Sequence, residues 1–428
     1  MVPHLVTALT GPINELEQRI TESMPVIERW FRLEWMEHTP TFYSAVDVRN
    51  AGFKLAPVET NLFPSGWNHL SPEMLPLAVQ AAMAAIEKIC PEAKNLLLVP
   101  DDARTADSFY LANLQRLTHI FTLAGLNVRL GSLSPGLQEP QALRLTTGDE
   151  LMLESLQRGK RRLGLKHFDP CTILLNTDLC AGVPGILEEL HEQFLLPPLH
   201  AGWPTRRMST HYRLYEEVAK RFAKVLGMDH WLIHPAFGAT GRIDLGAAQG
   251  VQAAQAQLDA VLSRTRRKYK EYGIQEKAFA VLKADDGQGV LPPLVVRDAA
   301  DLPALLATHK PQKGKRLVGE WVVQEGVITH EKVMDAVAEP VVYMMDRYVV
   351  GGFYRVHAER GEEEHLNAPG ARFVPLAFEQ ATQLPQAGVR PGASAPNRFY
   401  MYGVIARLAM LAASYELEAT DPEREDDE

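Results

Sequence analysis

Lys283 closes an apolar run at 278–282 and leads directly into Ala-Asp-Asp-Gly-Gln-Gly-Val. An ammonium at the end of a strand, ahead of a glycine-bearing turn, can set positive charge and open backbone N–H groups against a phosphate chain. Gly287 and Gly289 allow the close backbone approach that side chains forbid. Taken alone, a plain hairpin turn with a surface lysine is the better reading. Further on, Val322-Val323-Gln324-Glu325-Gly326-Val327 is a short strand followed by a polar pair. Gln324, Glu325 and Val327 are therefore candidates to meet an adenine edge, with an ordinary strand and turn as the alternative.

Residues 339–357 form two strand-like runs that mix apolar side chains with Asp346, Arg347 and Arg355. An acidic loop and Glu364-His365-Leu366-Asn367-Ala368-Pro369-Gly370 follow. Magnesium takes oxygen ligands, usually a few carboxylates plus phosphate oxygens. Asp346, Glu364 and Asn367 are the expected ligands, and Arg355 offers a fixed charge to a transferring phosphoryl group. Glu362 and Glu363 read as a solvated charge run.

These residues need elements to position them. Apolar spacing predicts an amphipathic helix over 13–35. Strands are expected at 95–99, 127–130 and 172–176, with helices over 108–124 and 184–194. Such alternation favours a parallel sheet with crossover helices. A turn-rich break at 197–207 precedes helices over 212–226 and 247–272, and the texture then becomes strand-rich at 278–283, 321–324, 340–345 and 349–356. The expected fold is α/β (α+β), with a Rossmann-like N-terminal substrate domain (1–196), a helical connecting region (197–275) and a nucleotide-binding domain (276–415). The acidic end, 416–428, reads as a disordered tail.

The formal net charge of −9 argues against a nucleic-acid partner. The basic cluster around 264–270 reads as a solvated helix face. Three cysteines outside metal-like spacing fit free thiols in a reducing compartment, Cys171 and Cys180 reading as core fillers. No histidine pair is read as a helical zinc site. The N-terminus lacks the features of a signal peptide, and the apolar stretch 401–417 is interrupted by Arg407 and short for a bilayer. A cytoplasmic protein with small-molecule substrates and no membrane partner is expected.

In order along the chain, strand-lysine, glycine turn, hinge, acidic strand, arginine and acid-plus-asparagine resembles the ATP-grasp nucleotide site. The resemblance narrows with longer strings: 46–64 (VDVRNAGFKLAPVETNLFP), Asn176-Thr177-Asp178-Leu179, 197–212 with Arg206-Arg207, and 339–357 followed by Leu366-Asn367-Ala368-Pro369-Gly370. Together they resemble the proteobacterial glutamate–cysteine ligase family over most of the chain. Membership implies an ATP- and Mg2+-dependent ligase that joins the γ-carboxylate of glutamate to the amine of cysteine through an acyl phosphate. Lys283 and Arg355 would then be catalytic. For the amino-acid carboxylates the resemblance points to Arg49, Arg206 and Arg207, with Lys54 and Asn61 as further contacts. A surface or interdomain salt bridge is an equal reading for Arg206. The chain departs from the family pattern in a shorter glycine loop after Lys283, in Met208, and in His365. Another ATP-grasp carboxylate–amine ligase and a non-catalytic nucleotide-binding homologue are the alternatives.

Overall fold

The computed structural model describes residues 5–6, 12–287, 290–309, 311, 317–376 and 398–422, with the backbone alone at 5–6, 12–15 and 398. One sheet of six strands is built around Asn95–Pro100, whose apolar residues are buried on both faces. Thr172–Asn176 and Asn127–Ser132 flank it in parallel, and the helix Ser108–Leu123 makes the crossover. The helix expected over 184–194 is instead a single 3-10 turn, Gly185–Leu187, leading to the edge strand Phe194–Leu196. Arg158 donates to the carbonyls of Ile186 and Glu189, and Arg162 to that of Glu192, so side chains satisfy groups a helix would have used.

The second sheet has seven strands and does not respect the expected boundary at 196. Its centre is the long hairpin Ala336–Met345/Tyr348–His357. Tyr43–Asn50 lies antiparallel against the first arm and pairs in turn with Leu55–Asn61. Residues 43–61 therefore belong structurally with 332–375. The third sheet, of four antiparallel strands, runs in the order Phe237–Asp244, Val318–Glu325, Ala280–Ala284, Leu294–Val296. The expected connecting region contributes its first strand and the helix Ala248–Tyr272, so that division also fails. Local sequence shows several of these strands, though not 43–50, 55–61 or 237–244, and shows no strand's partner.

The helix Arg398–Ala419 is apolar around its whole circumference, and its apolar residues from 401 to 413 are buried. A helix with that pattern is core. It packs on the helix Met208–Leu226 and on the strand Tyr43–Asn50. The expected tail does not begin at 416. Glu416 is 2% exposed within this helix and accepts from Arg206 Nε at 3.1 Å and His211 Nδ1 at 3.2 Å. The acidic residues 423–428 lie outside the described residues. Cys90 and Cys171 are joined as a disulfide, and Cys180 is exposed, which corrects the reading of free thiols and core fillers.

Burial alone would raise the Glu416 carboxyl, but Arg206 and His211 hold it below its usual 4.5. A folded value below the unfolded one contributes stability above about pH 4.5, lost as pH falls through the folded value. Glu416→Leu leaves Arg206 buried without its counter-ion and should cost about 3–5 kcal/mol at neutral pH. Urea unfolding at pH 7 and pH 4 should show the difference between variant and parent shrinking in acid. A difference that stays constant would remove this ion pair as its source.

Candidate functional site

A row of charged residues crosses the seven-stranded sheet. Strand register sets Glu59 opposite Asp47 and Glu339 opposite Arg355, with Asp47 beside Val341 on the intervening pair. Asp47 and Arg49 are two apart and so share a face of their strand. The Arg355 guanidinium donates to Asp47 and, at 2.7 Å, to Glu339 Oε1. Arg49 Nε donates to Glu339 Oε2 at 3.0 Å. Its terminal nitrogens donate to the Val327 carbonyl at 3.1 Å and the Glu364 carbonyl at 2.5 Å. Two arginines and two carboxylates thus form a single buried lattice.

Electrostatics in the row follow from burial. Burial pushes the Asp47 carboxyl up to about 6 against the pull of Arg355, with Glu339 and Glu59 adding to the rise. Burial would raise Glu339 too, yet Arg49 and Arg355 together hold it below the usual carboxylate range. His365 is held down, first by burial, despite Glu59 and Glu339 nearby.

The facing wall comes from the four-stranded sheet. Lys283 Nζ donates to the Val58 carbonyl and the Tyr212 hydroxyl, both at 3.0 Å. Beyond it the loop is tied to the start of the helix Met208–Leu226. The Asp285 carbonyl accepts from Met208 N at 2.9 Å, and its side chain accepts from Ser209 N at 2.6 Å. A carboxylate on the free N–H groups of a helix N-terminus is favourable. Gly287 has φ +65°, and a Cβ there would stand 2.4 Å from the Trp203 ring, so only glycine fits.

Between the walls lies a cavity of about 200 Å³ that opens onto a groove of about 1190 Å³. Arg49, Lys283, Gly287, Gln324, Glu325, Val327 and Asn367 all line the inner cavity. Arg355 stands behind it, through Asp47 and Glu339. Gly289 lies outside the described residues.

The other expected site residues are placed elsewhere. Lys54 is buried, donating to Glu325 Oε2 at 2.8 Å with its ammonium 4.1 Å from the Trp231 ring centre. Burial lowers its pKa to about 8 against the pull of Glu325. Glu325 is thus a buried counter-ion, and its backbone N–H and that of Gly326 already bond the carbonyls of Ala236 and Phe279. An adenine edge cannot use those two donors. Asn61 closes a local turn by accepting from Phe63 N at 2.8 Å. Arg206 is the structural ion pair described above, and Arg207 pairs with Glu320 at 2.6 Å. Asp346 sits in the hairpin turn, 3.7 Å from Lys88 Nζ. That turn is roughly 20 Å along the strand from Glu339, so Asp346 does not reach the cavity. The Glu364 side chain faces the outer groove and accepts from Arg360 at 2.9 Å and Gly361 N at 2.7 Å.

Besides Glu325 and Glu363, the carboxylates that line the cavity with Asn367 are Asp47, Glu59 and Glu339, none of which is among the metal ligands expected from the sequence. Their signal was present: Asp47 and Arg49 alternate within a strand whose other residues are buried, and Glu339 opens the next apolar run. Among the described residues Glu59 makes no hydrogen bond, which leaves its oxygens open. Carboxylates with an amide oxygen make a hard donor set of the kind magnesium takes, and of these Glu59 and Asn367 fit that ion best because Asp47 and Glu339 already hold arginines.

A family model for GshA, glutamate-cysteine ligase, matches residues 17–417. A crystal structure from Methylobacillus flagellatus KT, of a protein assigned as a gamma-glutamylcysteine synthetase, is similar at 48% identity and a TM-score of 0.88. That match covers 98% of this chain and 100% of the other. A glutathione synthetase-like effector from Globodera pallida in apo form aligns over 87% of this chain and 85% of its own, at 11% identity and a TM-score of 0.38. That likeness is too weak to bear on fold or function. No curated protein sequence matches significantly.

Arg355→Met should leave Asp47 and Glu339 without a shared counter-ion and cost about 3–5 kcal/mol in chemical unfolding. Adding Asp47→Asn should recover part of that loss. Additivity within about 0.5 kcal/mol across the double-mutant cycle would show that the two residues are not coupled.

Proposed function

The chain belongs to the glutamate–cysteine ligase family, and we propose that the cavity between its seven- and four-stranded sheets is where the family's reaction takes place. The protein is an ATP-dependent ligase that joins glutamate to cysteine. This reading of the site rests on one arrangement: the Lys283 ammonium and the Gly287 loop face the carboxylate row across a single cavity. The two antiparallel sheets would hold the nucleotide between them in the ATP-grasp manner, with the six-stranded sheet as the Rossmann-like unit. Among the described residues no helix is long and apolar enough to cross a membrane. The net charge of −9 accords with small-molecule partners and no nucleic acid, and the biosynthetic family accords with a cytoplasmic location.

In the proposed reaction the γ-carboxylate of glutamate attacks the γ-phosphorus of ATP and ADP leaves, giving an acyl phosphate. The amine of cysteine then attacks the acyl carbon and expels phosphate. The chain's contribution is mainly positioning and charge compensation. Lys283 would bind the phosphates, held in place by Val58 and Tyr212. Gly287 would let the phosphate chain approach the backbone. Arg355 would act from behind the row by keeping Asp47 and Glu339 aligned, since both of its bonded partners line the cavity. Arg49 would fix the rim, because its guanidinium bonds the backbone at Val327 and Glu364. Magnesium, when bound, would neutralise triphosphate charge, held by Glu59 and Asn367, whose oxygens Arg49 and Arg355 do not engage.

Phosphate release from ATP and magnesium should require glutamate and cysteine together, and the product mass should be that of γ-glutamylcysteine. Lys283→Ala should lower kcat/KM by about 10²–10³ without unfolding the chain. Unchanged turnover in that variant would remove Lys283 from the site, and release without either amino acid would overturn the ligase reaction.

A further inference from the structure

We propose that Glu216, His230 and His234 form a site for a zinc-class divalent transition ion, separate from the ligase cavity. One ligand atom from each lies within 4.8 Å of the other two. Helix and turn bring them together. Glu216 lies on the helix Met208–Leu226, and His230 opens the 3-10 turn His230–Ile233 that follows it. His234 stands immediately after that turn, four residues from His230. The sequence reading excluded any histidine pair with helical zinc-site spacing, which His230 and His234, four residues apart, correct.

His234 supplies the independent observation. The residue is 4% exposed, and its Nε2 is sealed from solvent without a hydrogen-bond partner among the described residues. A buried polar atom left unpaired is costly, and a ligand on that imidazole would remove the cost. Tyr215 stacks beside the ring at 6.0 Å between centroids, and Phe237 closes another side. His230 directs Nε2 towards Glu216 Oε1, at 4.0 Å. Its Nδ1 stands 3.6 Å from Asp229 Oδ1. That distance is beyond a hydrogen bond, and Asp229 already accepts from Trp231 N, Lys268 and Tyr272, so it adds only nearby negative charge.

Two imidazoles and one carboxylate make a donor set that zinc accepts with water in its fourth position. Donors on one tetrahedral ion stand roughly 3.3–3.5 Å apart, so the three must close by about an ångström. Glu216 and His230 are partly exposed side chains and can make that adjustment. Lys220 is the competitor, with Nζ 2.8 Å from Glu216 Oε1. Its side chain is 53% exposed and free to swing into solvent. An ion here would clamp the helix to residues 230–236, the segment whose Ala236 N holds Glu325 Oε2 at 2.7 Å.

The test is cobalt titration of the full chain without nucleotide, in a Cys180→Ser background that removes the exposed thiol, followed by zinc competition. One equivalent should give the visible absorption of four-coordinate cobalt, displaced by zinc. His230→Ala and Glu216→Gln, both on partly exposed side chains, should weaken binding at least 100-fold while circular dichroism stays unchanged. Lys220→Met should tighten it several-fold, an outcome that misfolding cannot mimic. Absence of four-coordinate cobalt in the parent, or an affinity that His230→Ala leaves unchanged, would overturn the proposal.

Discussion

The Arg355 guanidinium, buried between Asp47 and Glu339, is the contact on which the rest of the arrangement depends. A charge taken out of water demands an opposite charge with good geometry. Here that demand draws together strands from distant parts of the chain. Asp47 comes from the N-terminal strand, and Glu339 and Arg355 come from the two arms of the central hairpin. Arg49 extends the lattice to Val327 and to the loop that carries Glu364 and Asn367. The cavity wall on this side is the polar edge of that lattice.

A second buried pair, Lys54 with Glu325, performs the same task for the facing sheet. Glu325 also accepts from Trp231 Nε1 at 3.1 Å and from Ala236 N. A third, Arg206 with Glu416, fastens the terminal helix to the turn at 203–207. The first two of these ionic ties contribute lining residues to the cavity, Asp47, Arg49 and Glu339 from one and Glu325 from the other. Each ties segments from opposite halves of the chain, so the two walls are held by charge pairs as well as by apolar packing. Because removing one partner leaves the other stranded, the walls are defined narrowly and resist gradual deformation.

Much of the secondary structure was legible. The apolar runs at 95–99 and 172–176 and the long helix over 247–272 have counterparts at nearly the same residues. Family resemblance was legible too, because long irregular strings such as 46–64 and 339–357 are specific in a way that a glycine pattern is not. Site assignment fared unevenly. Lys283, Gly287 and Asn367 do line one cavity. Arg206, Arg207, Lys54 and Asn61 are engaged elsewhere, because arginine and lysine look identical in sequence whether they meet a ligand or a carboxylate of the same chain. Asp346 was drawn in by proximity to Arg355 in sequence, whereas a straight hairpin keeps its turn far from its open end.

By itself the sequence determined the most regular elements, the family and the kind of chemistry, since these depend on local periodicity and on which side chains are present. Strand partnership was decided only in three dimensions. Asp47 reads as one acid in an apolar run until register sets it opposite Glu59 and one strand from Glu339. Glu416 reads as the first residue of an acidic tail until Arg206 reaches it from 210 positions away. Long-range charge pairing leaves no local trace, because the free energy of a buried ion depends on what surrounds it rather than on what precedes it in the chain.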